Sequence, residues 1–541
     1  MFDLVIKNAV IVDGTGRERY QGSVGITGGI IALVVKGDEE LVGHRVIDAA
    51  GQVVCPGFID IHSHSDISIL ANPRAESSLR QGITTEIAGN CGWSMAPVHR
   101  ASADKLGTRL VGGLGGEDAG EHVVWRWNTL GEWLEVVEQK GIGVNLGTFV
   151  GQSMVRAYVL GDEDRIPCQK EMDKMKDLVE QAMIDGAFGL STGRSYMPGK
   201  MASTTEVVEL CKVVARYDGL YTTHIFNQDD QVLEATEEVV EIGRRSGCRV
   251  QVAHQKVCTK RNWGKAAACL EIMEKGQARA VDILSDVYPF LYTQISSLGN
   301  MLPKELREKP LEEVKAILTS PEGLAGIRAE FHKQRVVYGI SEAEWEKRMG
   351  DTGIVFCRYT KDYEGLDLME AAARKGKPFF EAVMELLAEN DLMVKTAGIM
   401  CEEDLIGILK HPYSMVSTDA YALDREQSEK AAIHPRHYGT YPIILERYVR
   451  ELKVLTLEQA IRKMTLMPAE RVGLIDRGQI RAGARADLVI FDPETIANRS
   501  TVEKPAAFPA GISYVVVNGQ VTVEGDTYHD LRAGQVLRHS Y

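Results

Sequence analysis

The sequence predicts a (β/α)8 barrel carrying a small β-sandwich domain formed by the N- and C-terminal segments. Two observations predict it. Short apolar strands alternate with long helical stretches through the middle of the 541-residue chain, the mark of buried parallel strands. The two ends carry a different pattern, rich in β-branched residues and glycines and nearly free of helical periodicity.

At the N-terminal end, 3–13 (DLVIKNAVIVD), 23–35 (SVGITGGIIALVV) and 45–54 (RVIDAAGQVV) read as strands, and the pattern resumes at 486–492 (ADLVIFD) and 513–523 (SYVVVNGQVTV). Asn518-Gly519 is a two-residue hairpin turn signal. The predicted division is therefore residues 1–56 plus 478–541 as one β-sandwich, with a barrel at 57–477 between them. Eight barrel strands can be counted: 58–62, 83–91, 144–150, 188–193, 219–225, 249–255, 281–288 and 413–419. Helical stretches at 171–186, 205–217, 231–246 and 264–275 separate several of them. The gap before the eighth strand is too long for one crossover. A charged, helical insertion is expected at about 290–355, and the pattern fits a lid over the site and a solvated elaboration equally.

Composition narrows the partners. Lys plus Arg number 62 and Asp plus Glu 76, a net charge of −14. That disfavours nucleic acid and anionic membrane surfaces, which need a basic face, and points to a small-molecule substrate. No apolar run approaches the roughly 20 residues that span a bilayer, and the first residues lack a secretory signal. Nine scattered cysteines without C-x-x-C spacing suit a reducing cytoplasm. The oligomeric state is left open.

Polar residues cluster at the strand ends, where a barrel of this kind places its chemistry. The first strand ends in His62-Ser63-His64. Residues i and i+2 of a strand face the same way, so both imidazoles point into the barrel mouth. The fifth strand ends at His224, the sixth at His254 and the eighth at Asp419. A single strand-end histidine is ordinary core filling, but four with a carboxylate at one barrel end match the ligands zinc takes. The second strand ends in Gly89-Asn90-Cys91-Gly92. A buried thiol is usually inert packing, yet here glycines on both sides let the backbone approach closely, and beside a metal the thiol would ionise.

The segments PGFIDIHSHSD, GITTEIAGNCGWSMAP, VAHQK, STDA, HPRHYGTYP and ADLVIFDP, with His224, resemble the amidohydrolase superfamily and, within it, the N-acyl-D-amino-acid deacylases. The resemblance runs from about residue 2 to 540. It implies hydrolysis of a linear amide bond of N-acyl-D-amino acids. It implies one tightly held zinc on Cys91, His224 and His254, and a second, weaker metal position on His62, His64 and Asp419, with Asp419 also the general base. It further implies that Lys256, Tyr288 and Arg436 bind the substrate carboxylate, which suits the planar fork of an arginine.

The chain departs from the family pattern in places. The fourth strand reads FGLSTGRS, without the metal-bridging lysine of many relatives, and Cys91 stands in its stead. After the fifth strand the chain reads His224-Ile225-Phe226-Asn227-Gln228, where relatives often carry an arginine and a glutamate. Gln152 stands where relatives often carry a histidine, and FLYTQISSLGN follows Tyr288-Pro289 in place of a Gly-Ser/Thr-rich segment. Phe226 and Trp93 are expected to line an apolar pocket that favours hydrophobic side chains. The competing readings are a cyclic-amide hydrolase of the hydantoinase or dihydropyrimidinase kind, a peptidase acting on D-residues, and a non-enzymatic metal-binding protein. Lys256 with Arg436 argues against a cyclic imide, which has no free carboxylate. Missing ligands would mark a dead site, and none is missing.

Overall fold

A computed structural model of the chain describes residues 1–37, 39–99, 125–161, 163–338, 341–424 and 433–541. Parts of the expected barrel (100–124, 162, 425–432), of the insertion (339–340) and of the N-terminal segment (residue 38) lie outside the described residues.

The N-terminal strands β1 (Phe2–Ile11), β2 (Tyr20–Thr27), β3 (Ile30–Lys36), β4 (Gly43–Asp48) and β5 (Val53–Pro56) join four C-terminal strands, β18 (Leu488–Phe491), β19 (Ile512–Val517), β20 (Gln520–Glu524) and β21 (Thr527–Tyr528). Together they make one nine-stranded sheet, in the order β21-β20-β19-β18-β5-β1-β2-β3, with β4 on β1. The two chain ends meet where β18 runs antiparallel to β5, Val489 opposite Cys55 and Ile490 opposite Val54. Strand alternation explains the packing. Leu488, Ile490 and Val54 face a core with Leu4, Ile6, Val24 and Val516. Val489, Phe491, Val53 and Cys55 face the barrel core instead. Asn518 and Gly519 close the β19–β20 hairpin with φ of 47° and 81°, the left-handed pair that a two-residue turn of this kind demands.

The barrel staves are β6 (Phe58–Asp60), β7 (Ile83–Ala88), β8 (Asn145–Thr148) with its continuation β9 (Val150–Gly151), β10 (Gly189–Gly193), β11 (Leu220–His224), β12 (Arg249–Val252), β13 (Ile283–Val287) and β17 (Ser414–Val416). All neighbours are parallel. The ring closes at its mouth, where Asp419 N donates to His62 O (2.9 Å) and His64 N to Ala420 O (2.7 Å). Outer helices follow from spacing and caps. The helix Val232–Ser246 buries Val232, Ala235, Val239 and Ile242 and ends at Gly247 in the left-handed conformation, an apolar stripe at helical period with a glycine stop. The helices Leu130–Lys140 and Leu457–Met464 start in capping boxes, Thr129 with Glu132 and Thr456 with Gln459.

The excursion between β13 and β17 is longer than the 290–355 segment expected. It includes β14 (Ser296–Ser297), β15 (Gly353–Cys357) and β16 (Val394–Ala397), which form a small antiparallel sheet in the order β14-β16-β15. Helices such as Leu311–Thr319 and Phe379–Glu389 pack on one another around a separate core with Val314, Phe331, Ile354, Phe380 and Leu387. The sequence pattern hid this extent because β16 pairs with β14 and β15 on either side, outside the barrel. Among the described residues no helix is long and apolar enough to cross a membrane.

Candidate active site and metal centre

The strand ends converge as the alternation of side chains requires. His62 and His64 turn into the mouth, and Ser63 between them turns away to donate to the buried carboxylate of Glu86 (2.7 Å). His62 Nε2 lies 3.5 Å from Cys91 Sγ and 3.5 Å from Asp419 Oδ1. His64 Nε2 lies 3.2 Å from the same Oδ1. Cys91 Sγ is 3.4 Å from His254 Nε2 and 3.8 Å from His224 Nδ1. Two buried donor sets result, His62–His64–Cys91–Asp419 and Cys91–His224–His254, each with its donor atoms within 4.8 Å of one another. Cys91 belongs to both.

Three of these residues sit in left-handed backbone, Cys91 (φ 54°), His254 (φ 34°) and Asp419 (φ 51°). Such conformations cost on the order of 1–3 kcal/mol each outside glycine, and re-aim each side chain as its strand ends. The glycines around Cys91 are required by space. A Cβ on Gly89 would stand 2.3 Å from Phe149 O, and one on Gly92 would stand 2.6 Å from Gly193 N.

The electrostatics suit a metal. Burial, then the charge of Lys256, holds His224 and His254 well below the ordinary imidazole range, so both present lone pairs. Burial, then the Asp419 carboxylate, pushes the Cys91 thiol well up. A metal cation is the partner that would ionise it. Burial raises Asp419, but the Arg436 guanidinium together with His254, His64 and His62 outweighs it, and the carboxyl is held well below its usual range. His64 Nδ1 and Arg436 Nε are buried without a hydrogen-bond partner.

A cavity of about 550 Å³ opens over the cluster. Lys256 and Arg436 line it, both buried. Arg436 Nη1 donates to Asp419 Oδ2 at 2.8 Å and Nη2 to Gln294 Oε1 at 3.1 Å. Tyr288 stands behind this wall. Lys256 Nζ donates to its hydroxyl at 3.0 Å, and its ring lies 4.8 Å from Lys256 Nζ and 5.0 Å from the Arg436 guanidinium. Burial works against the charge on Lys256, but Tyr288 and Asp419 more than offset it. Two cations thus face a cavity whose described lining has one carboxylate, Asp419.

Trp93 lines the cavity, as expected from sequence, but Phe226 does not. Strand β11 ends at His224, so alternation no longer governs Phe226, which packs against the barrel core. Gln228 takes the place at the wall, its amide 3.2 Å from His254 Nδ1. Sequence reading also passed over Asp286. Its carboxylate accepts from His254 N (2.8 Å), Gln251 Nε2 (2.6 Å) and Ser417 Oγ (2.6 Å) and lies 3.5 Å from His62 Nδ1. It thus ties the backbone at His254 to its own strand and sets a carboxylate behind the His62 ring. The available signal was a charged residue in an otherwise apolar strand; Asp60, which accepts from His62 N at 3.2 Å, carries the same signal. Tyr196, whose hydroxyl lies 3.3 Å from His224 Nδ1, gave none. Gln152 is buried and donates to Glu206 (2.9 Å), in the packing behind the site.

Residues 45–523 match a model of the amidohydrolase family. The D-aminoacylase of Alcaligenes xylosoxydans xylosoxydans is 32% identical over 537 residues, spanning 99% of this chain and 97% of that protein. This chain belongs to the amidohydrolase family, among the N-acyl-D-amino-acid deacylases. Solved structures agree. The N-acyl-D-glutamate deacylase of Bordetella bronchiseptica, in complex with zinc and a phosphonate mimic of the tetrahedral intermediate, is 30% identical with a TM-score of 0.75, covering 99% of both chains. A D-aminoacylase structure concerned with its binuclear metal centre is 31% identical with a TM-score of 0.76, covering 99% of this chain and all of the other.

Proposed function

We propose that this chain is a zinc-dependent hydrolase that cleaves the amide bond of N-acyl-D-amino acids to a carboxylate and a free D-amino acid. The observation that carries the reading is the pairing of a Cys91-centred donor cluster with two buried cations, Lys256 and Arg436, on one cavity wall. Cys91, His224 and His254 hold the tight zinc, and His62, His64 and Asp419 offer a second, weaker position. The buried imidazoles of His224 and His254, held neutral, and the buried thiol of Cys91 are a donor set of the softness zinc takes. Zinc in such a site supplies Lewis acidity, polarising the scissile carbonyl and acidifying water.

The chain's own residues do the rest. Lys256 and Arg436 grip the substrate carboxylate, with Tyr288 holding the lysine in place. Asp419 takes a proton from the attacking water as its oxygen bonds to the carbonyl carbon. As the C–N bond breaks, Asp419 returns that proton to the leaving amine. The barrel at 57–477 carries this chemistry, the segments 1–56 and 478–541 form the supporting β domain, and the insertion contributes wall through Thr293 and Gln294. Scattered, mostly buried thiols support a cytoplasmic setting.

Relatives named for aminoacylase and glutamate deacylase activity are about equally similar, so identity does not choose the side chain. The wall does. Trp93, Tyr196, Met197 and Tyr421 line the cavity, and its described lining has no third cation to meet a side-chain carboxylate. Hydrophobic D-side chains are therefore the preferred class. The test is acid and amine release from N-acetyl-D- and N-acetyl-L-amino acids and from hydantoins, with zinc and with chelator. Turnover of hydantoins in preference to N-acetyl-D-amino acids would overturn the reading.

A further inference from the structure

Asp419 has two carboxylate oxygens, and both are engaged. Oδ1 lies 3.2 Å from His64 Nε2 and 3.5 Å from His62 Nε2. Those contacts belong to the weaker metal position, so Oδ2 is the oxygen left for proton transfer. Arg436 Nη1 donates to it at 2.8 Å. Both partners are buried, so the pair is little screened by solvent. That bond takes one of the two lone-pair directions of Oδ2, so an arriving water must share the oxygen with a guanidinium.

Arg436 is itself incompletely satisfied. Nη2 donates to Gln294 Oε1 at 3.1 Å, while Nε is buried with no partner. Its guanidinium faces the cavity beside Lys256. A substrate carboxylate arriving there meets this guanidinium and a second cation, Lys256, and it places a like charge close to Asp419. Two carboxylates on one guanidinium repel each other, and the incoming one has Lys256 as additional support.

We propose that Arg436 is a substrate-released clamp on Asp419: its guanidinium occupies the oxygen that must take the proton, and the carboxylate of a bound substrate draws it off. This rests on the deacylase reading and adds to it that the carboxylate acts on the chemical step as well as on binding. Neutral analogues then bind weakly and also find Asp419 still clamped. The same guanidinium competes with a cation for Asp419, and so weakens the second metal position relative to the Cys91–His224–His254 set.

The test compares N-acetyl-D-methionine with N-acetyl-D-methioninamide, reading acetate release, in the wild type and in Arg436→Met. In the wild type the neutral amide is expected to lose kcat by at least about 10-fold in addition to its higher KM. An amide kcat equal to that of the acid would overturn the clamp without any variant. In Arg436→Met, kcat/KM for the acid is expected to fall by about 100-fold or more while kcat for the amide rises about 10-fold. A residue that only binds the carboxylate would leave the amide kcat unchanged. That result, in a variant with wild-type melting temperature and wild-type tight zinc, overturns the proposal. Chelator competition is the readout independent of turnover: the weaker zinc position is expected to tighten about 10-fold in Arg436→Met, and an unchanged affinity counts against the clamp. A wild type that hydrolyses neither compound overturns the deacylase reading itself, whereas turnover of the acid without these signatures overturns only the clamp.

Discussion

The core of the β domain and the mouth of the barrel are both buried, yet they are built in opposite ways. In the β domain Leu4, Ile6, Val24, Val54, Leu488, Ile490 and Val516 fill the interior. A deeply buried ion pair at its border with the barrel is well provided for. Asp487 pairs with Arg477 and also accepts from Asn518 N (2.7 Å) and Asn145 Nδ2 (3.2 Å). At the mouth, imidazoles, a thiol, a carboxylate and two cations share a small volume. Three backbones are left-handed there, and buried nitrogens lack partners. Burial in the first region lowers the free energy of the fold. Burial in the second opposes it, a cost that the proposed metal and substrate would offset. Violations of local rules concentrate where function resides.

Four experiments break or sharpen this contrast. The largest effect is expected from Cys91→Ala, which removes the donor common to both sets. Zinc content and activity should fall to background, and the melting temperature should fall to that of chelator-treated wild type. The chelator arm itself should cost about 2.7 kcal/mol if free zinc stands at about 100 times its Kd. Full zinc content in the variant would remove Cys91 from the centre.

Asp419→Asn comes next. Asparagine tolerates the left-handed backbone and keeps an oxygen, but cannot shuttle a proton. The kcat should drop by roughly 10²–10⁴-fold with the tight zinc and the melting temperature nearly unchanged. A kcat near that of the wild type would assign the base elsewhere.

The β domain should respond in the reverse sense. Leu488→Ala is expected to cost about 2–5 kcal/mol in denaturant unfolding while the folded enzyme keeps its kcat. A large loss of kcat without loss of stability would show the two regions to be coupled. The smallest effect concerns the wall. Burial of a hydrophobic side chain is worth about 1.5–3 kcal/mol, so N-acetyl-D-leucine or D-phenylalanine should exceed N-acetyl-D-glutamate by roughly 10- to 150-fold in kcat/KM. Trp93→Ala should narrow that ratio. A preference for D-glutamate would reject the apolar wall.

Much of this was legible in the sequence for reasons that are local. Each of the eight strands announced itself as an apolar run, and Asn518-Gly519 signalled its turn. His62 and His64 share a face because they are two residues apart on a strand. What was not legible depended on where regular structure stops. Phe226 is expected in the pocket because relatives often carry charged residues in that stretch, but the strand ends at His224 and it is Gln228, in the following loop, that reaches His254. Asp286 looked like one polar residue in a strand. Its role behind His62 and His254 follows from the barrel's curvature, which brings β6, β12 and β13 to one point.

The sequence by itself determined the eight-strand barrel, the meeting of the chain ends in β structure and the residue types gathered at the strand ends. Those follow from periodicity and chain spacing, which need no knowledge of distant contacts. Only the tertiary structure decided that Cys91 stands between both donor sets, that Lys256 donates to Tyr288, and that Arg436 holds Asp419. Each of these is a relation between side chains from different elements, 17 to 163 residues apart in the chain. Distances of 3 to 4 Å between such groups are set by how the barrel closes, and no local pattern encodes them.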